Sequence, residues 1–168
     1  AQRTSTTGGP IPQGGWLLST EKLDQIFSET HDQGGVILGE YQRYTEAKNL
    51  LFPPDPTSRN ECSVGAAIAC NASGARCFRY GAIRPWVEWV RCVLPNGEII
   101  EADRDTPIPE DWPKVSWVEP SVKTAAGYSP ADNLLDLMIG QEGTLGIITE
   151  AKLKLIPQPS GVIGMIIF

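Results

Sequence analysis

Three short loops rich in glycine and in small polar residues are the parts of the sequence best suited to chemistry. They span Arg3–Gly9, Ser63–Gly74 and Gly140–Gly146. Glycine lets backbone N–H groups converge on an anion without obstruction by a Cβ atom, and Ser and Thr add short donors. One such loop alone is more typical of a tight turn in a packed sheet protein. Three of them favour the binding of a phosphate group or a flat cofactor.

The common nucleotide-binding fingerprints do not explain these loops. No GxGxxG follows a predicted strand, and no GxxxxGK[ST] is present. The net charge of -6 and the sequence pI of about 4.8 argue against a nucleic-acid partner, because phosphate backbones are bound by clustered Lys and Arg. The sequence therefore predicts a small-molecule site of another kind.

Composition and hydropathy place the chain among globular proteins. Its 168 residues, 41% of them hydrophobic, fit a single domain, and no run approaches the roughly 18 apolar residues of a membrane span. No basic segment followed by an apolar one marks a secretory signal. We expect a cytoplasmic location, with an organelle matrix or peripheral membrane association left open.

The four cysteines and the single histidine are not expected to bind metal. Cys62, Cys70, Cys77 and Cys92 lack the CxxC spacing of a metal site, so buried free thiols are favoured over a disulfide or a metal centre. His31 is expected in a polar turn at the surface, where neither catalysis nor a covalent cofactor link is indicated. The sequence predicts no metal site.

Strands and helices are predicted to alternate, which indicates an α+β fold. The clearest element is a hairpin that joins Val87–Leu94 to Glu98–Ala102 through an Asn-Gly turn. A strand is predicted at Trp16–Ser19, a helix at Glu21–Phe27 with Ser19 or Thr20 as its N-cap, and a second helix within Val36–Asn49.

Prolines and glycines mark the irregular parts of the chain. Pro53–Pro56 requires an extended turn after the second helix. Thr106–Pro120 is expected to be an irregular surface excursion, and Leu145–Ile156 alternates toward a final pair of strands.

Four segments together resemble one known family. They are Pro54-Asp55-Pro56, the run Ser63-Val64-Gly65-Ala66-Ala67-Ile68-Ala69-Cys70-Asn71-Ala72-Ser73-Gly74, then Arg79-Tyr80-Gly81, and Ile139-Gly140-Gln141-Glu142-Gly143-Thr144-Leu145-Gly146-Ile147-Ile148-Thr149-Glu150. They are similar to the FAD-linked oxidases, in the branch of D-lactate dehydrogenase, the glycolate oxidase flavin subunit and D-2-hydroxyglutarate dehydrogenase. The resemblance implies a PCMH-type (vanillyl-alcohol-oxidase-type) fold of two α+β subdomains with FAD between them.

The resemblance also implies how the chain is divided. Residues 1–168 form an FAD-binding domain, apparently truncated at its N-terminus. Residues 1–52 are what remains of the first subdomain with the pyrophosphate loop, and residues 53–168 are the second subdomain. The C-terminal substrate or cap domain of the family is expected to be absent from the chain.

The residues implied to hold FAD lie in the three loops and the Pro-Asp-Pro element. They are Thr4, Ser5, Gly8, Pro54, Asp55, Pro56, Ser63, Gly65, Ala66, Ala69, Asn71, Ser73, Gly74, Glu142, Gly143, Gly146, Ile147 and Ile148. The small side chains of the second loop are interpreted as clearance for the cofactor. Lys123 and Tyr128 match a family segment of less definite role.

Two departures from the family pattern stand out. Gly65-Ala66 replaces two glycines and Cys70 replaces a threonine, both small changes that are compatible with cofactor contact. The segment Phe27–Gly35 is shorter than in the family and is expected to lack a strand that the family has there, either through a deletion or because residues are omitted.

The chemistry implied by the resemblance is the oxidation of a 2-hydroxy acid, whose α-hydrogen passes to FAD while a base takes the hydroxyl proton. The base and the carboxylate clamp come largely from the cap domain, so no catalytic residue is assigned here. An electron acceptor of unknown identity and a partner subunit are further expected partners.

Several charged and aromatic residues are weaker candidates for that site. Arg76, Arg79 and Arg84 could pair with a substrate carboxylate or a cofactor phosphate, although structural ion pairs are the commoner role. For Trp86, Trp89, Trp112 and Trp117, packing is favoured over stacking on a flavin.

Two alternatives to the catalytic interpretation are a non-catalytic FAD-holding subunit of a complex and a degenerate domain.

Overall fold

A four-stranded antiparallel sheet, flanked by short helices, organises the chain. The computed structural model describes residues 13–112, 114–118, 120 and 128–165. In chain order the elements are β1 (His31–Gln33), α1 (Leu38–Glu46), β2 (Leu50–Leu51), α2 (Val64–Ala69), α3 (Cys77–Tyr80), β3 (Val87–Val93), β4 (Ile99–Asp103), α4 (Leu134–Met138), β5 (Ile147–Leu153) and β6 (Ile156–Pro157). The predicted α+β class is confirmed.

The predicted hairpin is confirmed as β3 and β4, paired antiparallel from Trp89 with Asp103 to Val93 with Ile99. Gly97 takes a φ of 85° in the turn, a conformation that glycine adopts at no steric cost. The Asn96 side chain stabilises the turn by accepting a hydrogen bond from the Glu98 N–H at 3.0 Å.

Strand β5 lies at the centre of the sheet, whose order is β1-β5-β3-β4. The two strands predicted in Leu145–Ile156 are present, but they do not pair with each other. β5 pairs with β1 and β3, whereas β6 pairs with β2 in a separate two-stranded sheet. The last two strands of the chain, β5 and β6, therefore each pair with one of the first two, β1 and β2.

One continuous core lies between the sheet and helices α1, α2 and α4. The helix predicted in Val36–Asn49 is confirmed, over the shorter span of α1. Tyr41 of α1 is fully buried and meets the Phe52 ring edge-on at 5.6 Å. The described residues of 104–120 contain no helix or strand, as predicted for Thr106–Pro120.

The predictions for Trp16–Ser19 and Glu21–Phe27 are wrong, since neither a strand nor a helix forms there. Trp16 is 98% exposed, so no described strand packs on it. The Ser19 hydroxyl accepts a hydrogen bond from the Glu21 N–H at 3.3 Å, within the local kind of turn that competes with a helix. The Gln25 carbonyl then accepts from the Gln33 N–H, which keeps this segment extended.

The expectation that Phe27–Gly35 lacks a strand is also wrong. The N–H groups of Phe27 and Ser28 both donate to the His31 carbonyl, and this tight turn leaves room for β1. His31 lies in that strand and not in a surface turn. Its Nε2 atom is 3.0 Å from Glu150 Oε2, and its ring contacts that of Phe27. Long-range strand pairing thus determines the position of this residue.

The cysteines are only partly as predicted. Cys62, Cys77 and Cys92 are free thiols, but only Cys92 is buried, and burial raises its pKa to about 12. Cys70 is exposed. None of the described residues forms a cluster of three or more metal-binding side chains. Among the described helices, none has the length and apolar character needed to cross a bilayer.

Asp32 is the unusual residue of the core. It is 0% exposed, and neither of its carboxyl oxygens has a hydrogen-bond partner in the described structure. Burial disfavours the charged form and raises its pKa well above the ordinary value. In the folded chain the carboxyl group therefore holds its proton to a higher pH than in the unfolded chain.

Asp32 makes the free energy of unfolding depend on pH. Below the unfolded pKa of about 4 both states are protonated, but above it only the unfolded chain releases the proton. The wild-type chain then loses about 1.4 kcal/mol of stability per pH unit until the folded pKa is reached. We predict that Asp32→Asn, measured by urea unfolding from about pH 4 to about pH 7, gains stability over the wild type as the pH rises.

The exposed Asp24→Asn variant serves as a control and should follow the wild-type curve. A constant difference between Asp32→Asn and the wild type over this pH range would contradict the assignment.

Candidate functional site

Helix α2 is the element around which the predicted site residues gather. Ser63 caps it, with its Oγ atom accepting from the Ala66 N–H at 3.3 Å. The Gly65 N–H donates to the Gly34 carbonyl at 2.8 Å. A Cβ atom on Gly65 would lie 2.8 Å from that oxygen and 3.0 Å from the carbonyl oxygen of Ile148, so only glycine allows this approach.

The glycine turn after α4 meets the C-terminal end of α2. The N–H groups of Gly140 and Glu142 donate to the carbonyls of Ile68 and Ala69, at 3.1 and 2.8 Å. These carbonyls belong to the last turn of α2, where no further helical N–H is available. The predicted turn is confirmed, with positive φ at Gly140, Glu142 and Gly143. The helix itself ends at the left-handed Asn71, where the N–H groups of Asn71 and Ala72 donate to carbonyls of α2, and the glycine turn adds two further hydrogen bonds there.

Gln141 fixes the shape of this turn, a role that the sequence analysis missed. It is 1% exposed. Its Nε2 atom donates to the Gly146 carbonyl and its Oε1 atom accepts from the Leu145 N–H, both at 2.8 Å. An isolated glutamine gives no sequence signal for such a role, since the role depends on burial. Tyr128 also contacts the turn, with its hydroxyl 2.6 Å from Thr144 Oγ1.

The Pro54–Pro56 element lies against the C-terminal end of the loop at residues 63–74. The Ala75 N–H donates to the Asp55 carbonyl at 3.2 Å, and a Cβ atom on Gly74 would collide with that carbonyl. The buried Gln42 donates from Nε2 to the Pro54 carbonyl at 2.7 Å. The Asp55 carboxylate pairs with Arg59 at 2.8 Å. The main chain of this element is therefore rigidly placed.

The structure brings three of the four predicted segments together. The Pro54–Pro56 element, residues 63–74 and the turn at 140–148 are joined by direct contacts. Cofactor clearance is not the only reason for the small residues. The backbone of the chain itself excludes a side chain at Gly65 and Gly74. A Cβ atom on Gly146 would likewise lie 2.8 Å from the Val93 carbonyl oxygen. Thr4, Ser5, Gly8 and Lys123 lie outside the described residues.

Asn71 has a polar side-chain atom that a ligand could supply with a hydrogen bond. It follows α2 with a φ of 44°, and its Cβ atom faces Gly140 at the meeting point of the loop and the turn. Its Oδ1 atom is buried and has no hydrogen-bond partner in the described structure. A buried acceptor without a partner costs about 1–3 kcal/mol. A ligand that donates a hydrogen bond here would remove that cost.

Arg84 supports the turn from below. Its Nη2 atom donates to the Ile139 carbonyl at 2.8 Å, and its Nη1 atom lies 3.2 Å from Asp136 Oδ1. Arg104 also donates to Asp136. Burial acts against the charged form of Asp136, but the hydrogen bonds and charges of Arg104 and Arg84 outweigh it and keep its pKa below the usual value. Arg84 is thus held by structural ion pairs.

The tryptophans considered as stacking candidates take packing positions. Trp86 donates from Nε1 to the Tyr80 carbonyl at 2.9 Å, and Trp117 donates to the Tyr128 carbonyl. Trp112 packs against the core, and Trp89 lies on the sheet beside Arg91 and Lys152. Asn71 is not among the partners that these contacts give the tryptophans.

Comparison with known proteins gives the arrangement a family. Residues 1–103 match the family model described as FAD binding domain. The chain is 38% identical to the D-lactate dehydrogenase of Anaerostipes hadrus over 172 aligned positions, which cover 98% of the chain and 32% of that protein. It is 35% identical to the glycolate oxidase subunit GlcD of Bacillus subtilis, over 93% of the chain and 31% of the relative.

Other relatives agree with this assignment. The chain is 34% identical to the D-2-hydroxyglutarate dehydrogenase of Xanthomonas citri pv. viticola, over 95% of the chain and 32% of that protein. A solved structure of alkyldihydroxyacetonephosphate synthase shares the fold with a TM-score of 0.61 at 23% identity, over 84% of the chain and 23% of that protein. The chain spans 31 to 32% of the length of the curated relatives named here. It belongs to the FAD binding domain family, and its cofactor is FAD.

Proposed function

We propose that this chain is the FAD-holding part of a flavin-dependent oxidoreductase that oxidises a 2-hydroxy acid. The names of three relatives refer to lactate, glycolate and 2-hydroxyglutarate, which are all 2-hydroxy acids. The observation that carries the proposal is the convergence of the Pro54–Pro56 element, residues 63–74 and the 140–148 turn on helix α2.

The FAD-binding residues fall into two groups by their surroundings. Asn71, Ser73, Ala66 and Ala69 are half-buried, and Glu142 and Gly143 are exposed, so a ligand can reach them. We assign direct contact to these six. Ser63, Gly65, Gly74, Gly146, Ile148 and the Pro54–Pro56 element would act mainly by holding the backbone in place, and Ile147 joins them at the start of β5.

The donor chemistry of FAD fits the buried acceptor at Asn71. FAD carries an imide N–H on its ring system and several hydroxyl groups on its ribityl chain, and the unpartnered Asn71 Oδ1 atom can accept from either. Residues around it have short side chains, so a cofactor can approach closely. The N–H groups of Gly65, Asn71 and Ala72 already donate to carbonyls of the chain, so the Asn71 side chain and not these amides would meet the cofactor. A flat, donor-bearing ligand therefore suits this site.

The division into subdomains stays a proposal. We place residues 1–52 in the first subdomain and residues 53–168 in the second. Strand β1 pairs with β5, and β2 pairs with β6, so the two parts share sheets from residue 31 onward. The two proposed subdomains are therefore joined by strand pairing across their boundary.

Within the proposed reaction this chain binds and orients. When bound, FAD would supply the acceptor for the hydrogen and two electrons that leave C2 of the hydroxy acid. The acid's hydroxyl proton needs a base, and the only histidine, His31, is engaged with Glu150. We propose that the base comes from a further domain, because the relatives are about three times as long.

The remaining partners and the location are proposed at the level of class. The electrons would pass on to a second acceptor, and a partner subunit or cap domain would cover the cofactor. We retain the cytoplasm as the proposed location.

A substitution at Asn71 tests the cofactor site. Asn71→Gly removes the side chain but keeps the left-handed backbone, which glycine adopts freely. We predict that the loss of one hydrogen bond weakens FAD binding about five- to tenfold, as measured by quenching of flavin fluorescence.

Asn49→Gly is a matched control for this variant, because Asn49 is exposed and also left-handed, with a φ of 59°, but lies outside the site. Equal FAD affinity in Asn71→Gly and Asn49→Gly would refute the role of the Asn71 side chain.

The proposed reaction is tested by the visible spectrum of the full-length protein that contains this chain. D-lactate, glycolate and D-2-hydroxyglutarate are each added under anaerobic conditions, and one of the three should bleach the flavin band. A flavin band that no 2-hydroxy acid bleaches would favour a non-catalytic FAD-holding subunit. A colourless protein that does not take up FAD would indicate a degenerate domain.

A further inference from the structure

A cavity of about 380 Å³ lies beside the proposed cofactor loop. Helix α3 and the residue before it form one wall with Arg76, Arg79 and Tyr80. Strand β2 and the segment after β6 form the others, with Leu51 and Gln158. Arg76 is two residues from Gly74, and Gly74 packs on the Asp55 carbonyl. The cavity is therefore next to the loop assigned to FAD.

The two arginines of this wall have few partners. Arg79 is exposed, and its guanidinium contacts only the face of the Tyr80 ring, at 5.3 Å, with no ion pair among the described residues. Arg76 Nε lies 3.7 Å from Asp55 Oδ2, too far for a hydrogen bond, and its Nη1 atom has no acceptor. This contrasts with Arg84 and Arg104, whose guanidinium groups are fully engaged.

The charge balance of the cavity favours one negative group. Arg76 immediately precedes α3, Arg79 lies within it, and both line the cavity. Glu46 also lines the cavity. Its one negative charge offsets one of the two guanidinium charges, so the lining keeps a net charge of one positive unit. Asp55 pairs closely with Arg59 at 2.8 Å and only at 3.7 Å with Arg76, so Arg76 is weakly engaged. A guanidinium fork matches the geometry of a carboxylate.

We propose that this cavity binds the carboxylate of a small organic acid, with Arg79 as the main contact and Arg76 as the second. The inference rests on the proposed function, in which such an acid is the substrate. It adds a carboxylate-binding group from this chain to those expected from another domain. The Gln158 side chain, on the opposite wall, can donate to the acid's second oxygen or hydroxyl group.

The test is a titration of the ¹⁵N-labelled 168-residue chain with D-lactate at constant ionic strength, followed by NMR. We expect the Arg79 Nε–H and Gly81 N–H signals to shift and saturate. Arg79→Gln should weaken the fitted affinity about tenfold or more, because a charge-assisted contact is lost, and Arg79→Lys should weaken it less. Arg43→Gln, which removes an exposed arginine of α1 that does not line the cavity, should bind as the wild type does.

Absence of a saturable shift, or equal binding by Arg79→Gln and the wild type, would overturn the proposal. So would an Arg79→Gln variant that loses FAD affinity while FAD displaces the acid, because the arginines would then serve the cofactor. FAD binding is measured separately by flavin fluorescence. Acid binding without FAD binding would support the cavity while refuting the proposed function, and FAD binding without acid binding would overturn the cavity alone.

Discussion

The close approach of three backbone segments at helix α2 is the constraint on which the rest of the structure depends. The chain before α1, the start of β5 and the helix itself meet at Gly65, where a Cβ atom would lie within 3.0 Å of two carbonyl oxygens. The helix is only six residues long and has little intrinsic stability of its own. It is held by the Ser63 cap, by the backbone of Gly34 and by the turn at Gly140 and Glu142. These same contacts carry the loop that contains Asn71.

Polar groups in this protein are supported unequally, and the difference is informative. Gln141 and Arg84 satisfy the backbone around the glycine turn with hydrogen bonds of 2.8 Å. Asn71, Arg76 and Asp32 instead have buried atoms without partners. Arg76 lines a cavity from which a ligand can supply a partner, and Asn71 is half-buried at the meeting point of the loop and the glycine turn. Asp32 lies in the core under α1 and can relieve its cost only by keeping its proton.

Local signals in the sequence predicted those elements that local interactions determine. The Asn96-Gly97 turn fixes the hairpin, whereas α1 ends at Glu46 and is separated from the prolines by β2. Trp16–Ser19 and Glu21–Phe27 were mispredicted because hydrogen bonds of the turn at Ser19 and Thr20 replace regular structure there. His31 was misplaced because its partner, Glu150, is 119 positions away.

Much of the candidate site could be predicted, but only through its resemblance to a family. Small residues at 63–74 and 140–146 indicate close backbone approach, yet they do not tell whether a cofactor or the chain itself makes the approach. The structure shows that the chain does so at Gly65 and Gly74. Gln42 and Gln141 escaped notice because a buried amide has a role only in the context of the carbonyls that surround it.

Hydrogen–deuterium exchange of the chain with and without FAD tests most directly whether the segments gathered on α2 hold the cofactor. FAD should slow exchange at the N–H groups of residues 63–74 and 140–148, and leave the β3–β4 turn at Asn96 and Gly97 unchanged. Protection by FAD that is absent from both of these segments would contradict the account.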